Sequence, residues 1–174
     1  MIAFTAHASS RAAHTAQEPA ALWVLGRDDT LDRIKRLMAD DGGDAQALHF
    51  PLPHALAHAL VMRGVPPATL EPLGSVLGVG LVRVAEILDI DRGTPARQAA
   101  KGKPLPRHAS EGVLRLLEIE QMAFDTFEAG QSTEWLNKPH PLLAGQTPLQ
   151  AASTSFGAEQ VKGILVAIRY GGAV

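Results

Sequence analysis

The sequence predicts an all-α protein, and three observations carry that prediction. Apolar residues recur at helical spacing, most plainly Val161, Ile164, Leu165 and Ile168 at offsets 0, 3, 4 and 7. No segment shows the apolar–polar alternation of a half-buried strand. Helix punctuation recurs along the chain, as in Thr147-Pro148, a cap followed by proline at the first helical position.

Composition narrows the classes further. At 174 residues the chain can bury a real core. Apolar residues make up 46%, charged residues 20% and aromatics 5%, as expected of Ala/Leu-rich helices. There is no cysteine, which removes disulfides, thiolate zinc sites and cysteine nucleophiles. The net charge is −2, so any nucleic-acid contact must come from a local patch. No apolar stretch has the length of a transmembrane helix, and no signal peptide is evident, so a cytoplasmic, membrane-free protein is expected.

Taken in order, residues 1–18 read as a mobile tail rich in Ala, Ser, Thr and His. A short apolar element follows over 18–25. Asp28-Asp29-Thr30 is expected to cap a helix over 31–40, with Leu31, Ile34, Leu37 and Met38 on one face, ended by Asp41-Gly42-Gly43-Asp44. Residues 48–53 are either extended or a lead-in. Helices are expected over 53–63, 68–77 and from Leu81 to Leu88, separated by Gly64-Val65-Pro66-Pro67 and by Gly78 and Gly80. Asp89-Ile90-Asp91 forms a turn, and Thr94-Pro95 caps a helix running to Lys101. After a loop over 102–106, Ser110 caps a long helix over 111–128, with Val113, Leu116, Leu117, Phe124 and Phe127 inward and Gly130 as its end. In the last block Pro139, Pro141 and Gly145 break the chain, Thr147-Pro148-Leu149 restarts a helix, and Phe156-Gly157 breaks it. A final helix ends at Tyr170-Gly171-Gly172.

Residues 81–101 have the layout of a helix-turn-helix, with Leu81, Val84, Ala85, Leu88 and Ile90 packing the pair. Its second helix carries Arg97, Gln98 and Lys101 on the polar side, with Arg92 and Thr94 near its start. Arg and Gln are the usual readers of guanine and adenine. Between Arg92 and Arg115 six basic residues face one acid, a local charge of +5. The commoner arrangement with this pattern is a solvated helical hairpin.

Enzymatic constellations are missing. His54 and His58 share a helix face, but Ala55 stands where a zinc protease needs Glu, and no metal site is expected. His7 and His14 fall in the tail. Gly78-Val79-Gly80 lacks the strand and third glycine of a dinucleotide fingerprint, and Ser153-Thr154-Ser155 is no nucleophile elbow. Glu118, Glu120 and Glu128 read as a solvated helix side. No catalytic residue and no cofactor are assigned. The C-terminal block either completes the core or presents Arg169-Tyr170-Gly171-Gly172 to a partner's pocket.

Trp135-Leu136, Pro139, Leu142, Gly145, Thr147-Pro148-Leu149, Thr154, Gly157, Val161, Leu165, Ile168 and Tyr170-Gly171 resemble the toxin-binding C-terminal domain of Xre/MbcA/ParS-type antitoxins. Upstream, Arg63-Gly64-Val65-Pro66, the leucines of 70–77, Ile90, Arg92, Thr94 and Arg97 are similar to the Xre-like helix-turn-helix region, a looser match. The resemblance covers about residues 50–172. It implies a non-enzymatic antitoxin of a type II toxin–antitoxin system. The implied partner is a RES-domain toxin that consumes NAD, blocked by the antitoxin's C-terminal end. It also implies a homodimer and repression of its own operon through operator DNA. Carried over by position, toxin contact falls on Lys162, Arg169, Tyr170 and Gly171, and DNA contact on Arg92, Thr94, Arg97, Gln98 and Lys101. Pro95 departs from the family's apolar residue after the Thr. The alternative is an autonomous helix-turn-helix repressor with no toxin partner. The expected division is a tail with short helices over 1–50, the DNA-binding region over 51–107, and the long helix with the toxin-binding domain over 108–174.

Overall fold

The first helix, α1 (Gln17–Met38), joins two elements that the sequence separated. In the computed structural model, which describes residues 17–39, 45 and 48–171 and side chains from residue 24 onward, α1 runs unbroken through Gly26 and Asp28. Asp28-Asp29-Thr30 does not cap it; the Thr30 hydroxyl donates back to the Gly26 carbonyl at 2.7 Å, an ordinary mid-helix bond. Gln17 and Glu18, assigned to the tail, lie in its first turn. The rest of that tail with His7 and His14, the stop at Asp41-Gly42-Gly43-Asp44, and Gly172 lie outside the described residues.

Eight further α-helices follow among the described residues, with no strand: α2 (His54–Arg63), α3 (Leu70–Leu77), α4 (Leu81–Ile87), α5 (Thr94–Ala100), α6 (Arg107–Thr126), α7 (Gln131–Asn137), α8 (Pro148–Ala151) and α9 (Ser155–Arg169). The all-α prediction holds. α6 is the axis: α2, α3, α7 and α9 all pack on it. Val113, Leu116, Leu117 and Ile119 of α6 meet Leu73 and Leu77 of α3 and Val161 and Leu165 of α9 in one buried cluster. Burial of this apolar surface, at roughly 25 cal/mol per Å², is the main force holding the layers together.

α6 starts four residues earlier than Ser110 suggested. Pro106 stands at its N-cap, and Ser110 is buried one turn in, where its hydroxyl accepts the Val65 amide proton at 2.9 Å. The Leu105 amide donates to the Val65 carbonyl at 2.9 Å, so both polar groups of Val65 are satisfied by the start of α6.

Glu120 is not on a solvated side. It is 2% exposed and accepts two bonds from the Arg27 guanidinium, Nε to Oε1 at 2.7 Å and Nη2 to Oε2 at 2.9 Å. The same guanidinium donates to Gln121 at 3.0 Å and lies 3.6 Å from the centre of the Phe124 ring. Burial pushes the Glu120 carboxyl up, against the pull of Arg27. This pair fastens α1 to α6. The helical period contained the signal: Arg27 continues the buried Leu31, Ile34, Met38 face backward, and Glu120 lies four residues beyond Leu116.

Candidate functional site

The tight helix pair lies one helix earlier than the sequence spacing placed it. α3 and α4 are joined by Gly78, Val79 and Gly80, and the segment Pro67–Leu77 meets Leu81–Ile87 at 102°. A short turn and a near-right-angle crossing are the marks of a helix-turn-helix. Gly78 ends α3 at φ 68°, a left-handed conformation that suits glycine, and a Cβ there would strike Thr133 of α7. Asn137 of α7 donates to the Leu77 carbonyl at 2.8 Å, so α7 also caps α3. By contrast, residues 88–93 link α4 to α5, too long for the tight turn expected within 81–101. α5 packs instead against the 3-10 turn Pro67–Thr69.

α4 presents Leu81 and Val82 to solvent, beside Arg83, which is paired to Glu86 at 2.9 Å. On α5, Gly93 is the N-cap and Thr94 lies inside the helix, with Pro95 buried in its first turn. The Thr94 hydroxyl accepts from Arg97 at 3.0 Å instead of capping the backbone. Arg97 also reaches Asp91 Oδ1 at 3.1 Å, and the Gly93 amide donates to that oxygen at 2.8 Å. The Gly93 amide and the Arg97 guanidinium hold the Asp91 carboxyl below the usual carboxylate range. Arg92 and Lys101 are exposed and Gln98 is half-buried. The five residues carried over as DNA contacts thus lie on or immediately beside one short helix, with Arg97 already engaged.

The C-terminal block is better defined by its own side chains. Thr147 accepts the Gln150 amide at 3.1 Å while Gln150 returns a bond to the Thr147 amide at 2.9 Å, a complete capping box with Pro148 at the first helical position. Thr154 accepts the Gly157 amide at 3.1 Å and caps α9. Phe156 and Gly157 therefore open α9 and do not end α8, which stops at Ala151. A Cβ on Gly157 would collide with the Ala151 carbonyl, so glycine lets α9 start against α8. Arg115 donates to the carbonyls of Ala152 and Ser153 at 2.9 Å each, and burial lowers its pKa. Trp135 stacks at 5.3 Å on Phe127 and at 5.9 Å edge-on to His140.

α9 buries Val161, Ile164 and Leu165 and half-buries Ile168, as its period predicted. Of the residues carried over as toxin contacts, Arg169, Tyr170 and Gly171 are exposed together at the end of α9, with Tyr170 at 76%. Lys162 sits apart from them. It bridges Glu118 of α6 at 2.8 Å and Glu159 at 3.0 Å; burial lowers its pKa, and these carboxylates outweigh that and raise it. Lys162 thus helps fasten α9 to α6. The same side chain lines a groove of about 640 Å³ between α2, α6 and α9, where the exposed His54 and His58 also lie. No cluster of metal-ligating side chains occurs among the described residues.

Residues 122–171, from mid-α6 to the end of this block, match the family described as the antitoxin Xre/MbcA/ParS C-terminal toxin-binding domain. Over those residues the chain is similar to Xre/MbcA/ParS-type antitoxins. A curated relative named antitoxin Xre, from Pseudomonas putida KT2440, is 36% identical over 72 residues, which is 41% of this chain and 45% of the relative. The chain thus spans less than half the length of that relative. In this matched segment the capped α8–α9 pair is the framework that holds Arg169, Tyr170 and Gly171 outward. No helix among the described residues is by itself long and apolar enough to cross a membrane.

Proposed function

We propose that the chain is the antitoxin of a type II toxin–antitoxin system, that its partner is an NAD-consuming RES-domain toxin, and that it acts without catalysis of its own. Neutralisation is direct: α9 docks on the toxin, and Arg169, Tyr170 and Gly171 obstruct its active site. The observation that carries this reading is the coincidence of the matched toxin-binding domain with an exposed Arg-Tyr-Gly at the end of its last helix. Tyr and Arg are favoured anchors of protein interfaces, because they bury large area at small entropic cost. Removing the residues after Ile168 tests it. The shortened chain should fold, since exposed end residues add little packing, yet fail to rescue cells expressing the toxin. Rescue by the shortened chain overturns occlusion.

Repression of its own operon, as a homodimer on operator DNA, is the second part of the proposal. The α3–α4 geometry and the basic run from Arg92 to Arg115 support it. In this arrangement the start of α4 faces base edges, where Leu81 and Val82 meet thymine methyl groups. Arg92, Thr94, Arg97, Gln98 and Lys101 approach the flanking DNA backbone from α5. The same geometry also suits a repressor acting without a toxin, the reading that remains if no toxin is retained.

A further inference from the structure

The side of α9 opposite the core carries a surface that no described residue covers. Phe156 is 87% exposed, Val166 46% and Tyr170 76%. Together with Gly163 they stand at offsets 0, 7, 10 and 14, which an α-helix places along one side over roughly 21 Å. Val161, Ile164 and Leu165 occupy the opposite side. Phe156 is not needed by the helix start, because Thr154 already supplies the cap.

Gly163 is the informative residue. It lies mid-helix, where glycine weakens a helix relative to alanine. A Cβ there would meet no atom within 4 Å, so no packing among the described residues requires glycine. Glycine in such a position permits another backbone to approach the helix closely. An exposed aromatic on one side of that gap, with Val166 and Tyr170 on the other, gives a shallow saddle with an apolar anchor at each end.

We infer that this stripe, Phe156–Gly163–Val166–Tyr170, is the face on which the toxin docks, with a toxin backbone segment lying across Gly163 and apolar toxin pockets receiving Phe156 and Tyr170. The inference rests on the antitoxin reading and deepens it by separating docking from occlusion. The occupant is a toxin because the matched toxin-binding domain includes all four residues and the stripe runs without a break into the exposed end that occlusion requires. Docking by the stripe accounts for affinity, the end residues account for inhibition, and Tyr170 serves both.

The experiment uses the full chain co-expressed with a RES-domain toxin, reading both retained toxin and residual NAD consumption. Gly163→Leu fills the saddle and Phe156→Asp removes an anchor. Neither touches the core, and Gly163→Leu favours the helix, so thermal unfolding should not fall for that variant. Each is expected to weaken toxin retention by about ten-fold or more, the loss expected for an interface anchor. The chain shortened after Ile168 also loses Tyr170 and should retain less toxin, whereas Arg169→Ala keeps all four stripe residues, so it should retain toxin while leaving NAD consumption on. If Gly163→Leu and Phe156→Asp both retain toxin like the unaltered chain while the shortened chain does not, the stripe is overturned and the antitoxin reading stands. If the unaltered chain retains no toxin, the antitoxin reading falls and the stripe falls with it.

Discussion

The helices α4 and α5 on one side and α8 and α9 on the other are built by opposite means. α4 and α5 begin at Gly80 and Gly93, with no side-chain cap, and their cations are tied within the chain, Arg83 to Glu86 and Arg97 to Asp91. α8 and α9 begin at capping threonines, each such cap contributing about 1 kcal/mol, and α9 turns an apolar stripe outward with no partner among the described residues. The difference bears on how each face binds. A ligand at α5 must first release the exposed Arg97–Asp91 pair, which is weak. A ligand at α9 releases no such bond along the stripe and gains by covering apolar surface. The first face suits a reversible, salt-sensitive contact, the second a durable one.

The strongest way to break this comparison is to separate the two regions at the axis they share. Arg27 and Glu120 are 4% and 2% exposed as side chains, and α6 carries both the α1–α3 layer and α9. Arg27→Met leaves Glu120 buried without its counter-charge and should cost about 3–5 kcal/mol. Replacing both, Arg27→Met with Glu120→Leu, should recover most of that loss, since paired apolar groups replace buried ion pairs at little cost. Urea unfolding followed by helical signal reads both. A single variant as stable as the unaltered chain means that α1 is an accessory helix, and the contrast then lies between α2–α5 and α6–α9 alone.

Much of this architecture was legible from periodicity. The α9 face and the Thr147-Pro148 start followed from spacing and cap chemistry, because both signals are local. What was not legible depends on long-range contact. Ser110 has the residue type of a cap, yet the Val65 amide 45 positions away claims its hydroxyl. Glu120 has the residue type of a surface acid, yet Arg27 across the core claims it. The position of the tight helix pair turned on three residues, Gly78-Val79-Gly80, whose meaning lies in the crossing they produce. At the C-terminal site, exposure of Arg169, Tyr170 and Gly171 was readable, but Lys162 carries a charge whose partner Glu118 lies on another helix.

The DNA reading offers a sharper test of the first face. If α4 reads bases, Val82→Ala should lose discrimination at a thymine, by less than the roughly 1–3 kcal/mol of a bidentate base contact. Arg97→Ala should then weaken operator and unrelated DNA alike and lower the salt slope by about one. Titrations of promoter DNA over a range of salt distinguish these outcomes. Loss of sequence discrimination on Arg97→Ala, with Val82→Ala silent, moves the reading face to α5.

The smallest effect concerns whether Arg97 is tied in the free protein. The Gly93 amide and the Arg97 guanidinium both favour ionised Asp91, so its folded pKa lies below the unfolded one. The sign follows: this tie is fully present above the unfolded carboxylate pKa and is lost as pH falls through the lower, folded pKa. Carboxyl NMR titration should place the Asp91 midpoint below that of an unpaired aspartate. Arg97→Ala should raise the midpoint without restoring it fully, because the Gly93 amide still donates. A midpoint that does not move on Arg97→Ala means the guanidinium is already free, and α5 then meets DNA with no internal pair to break.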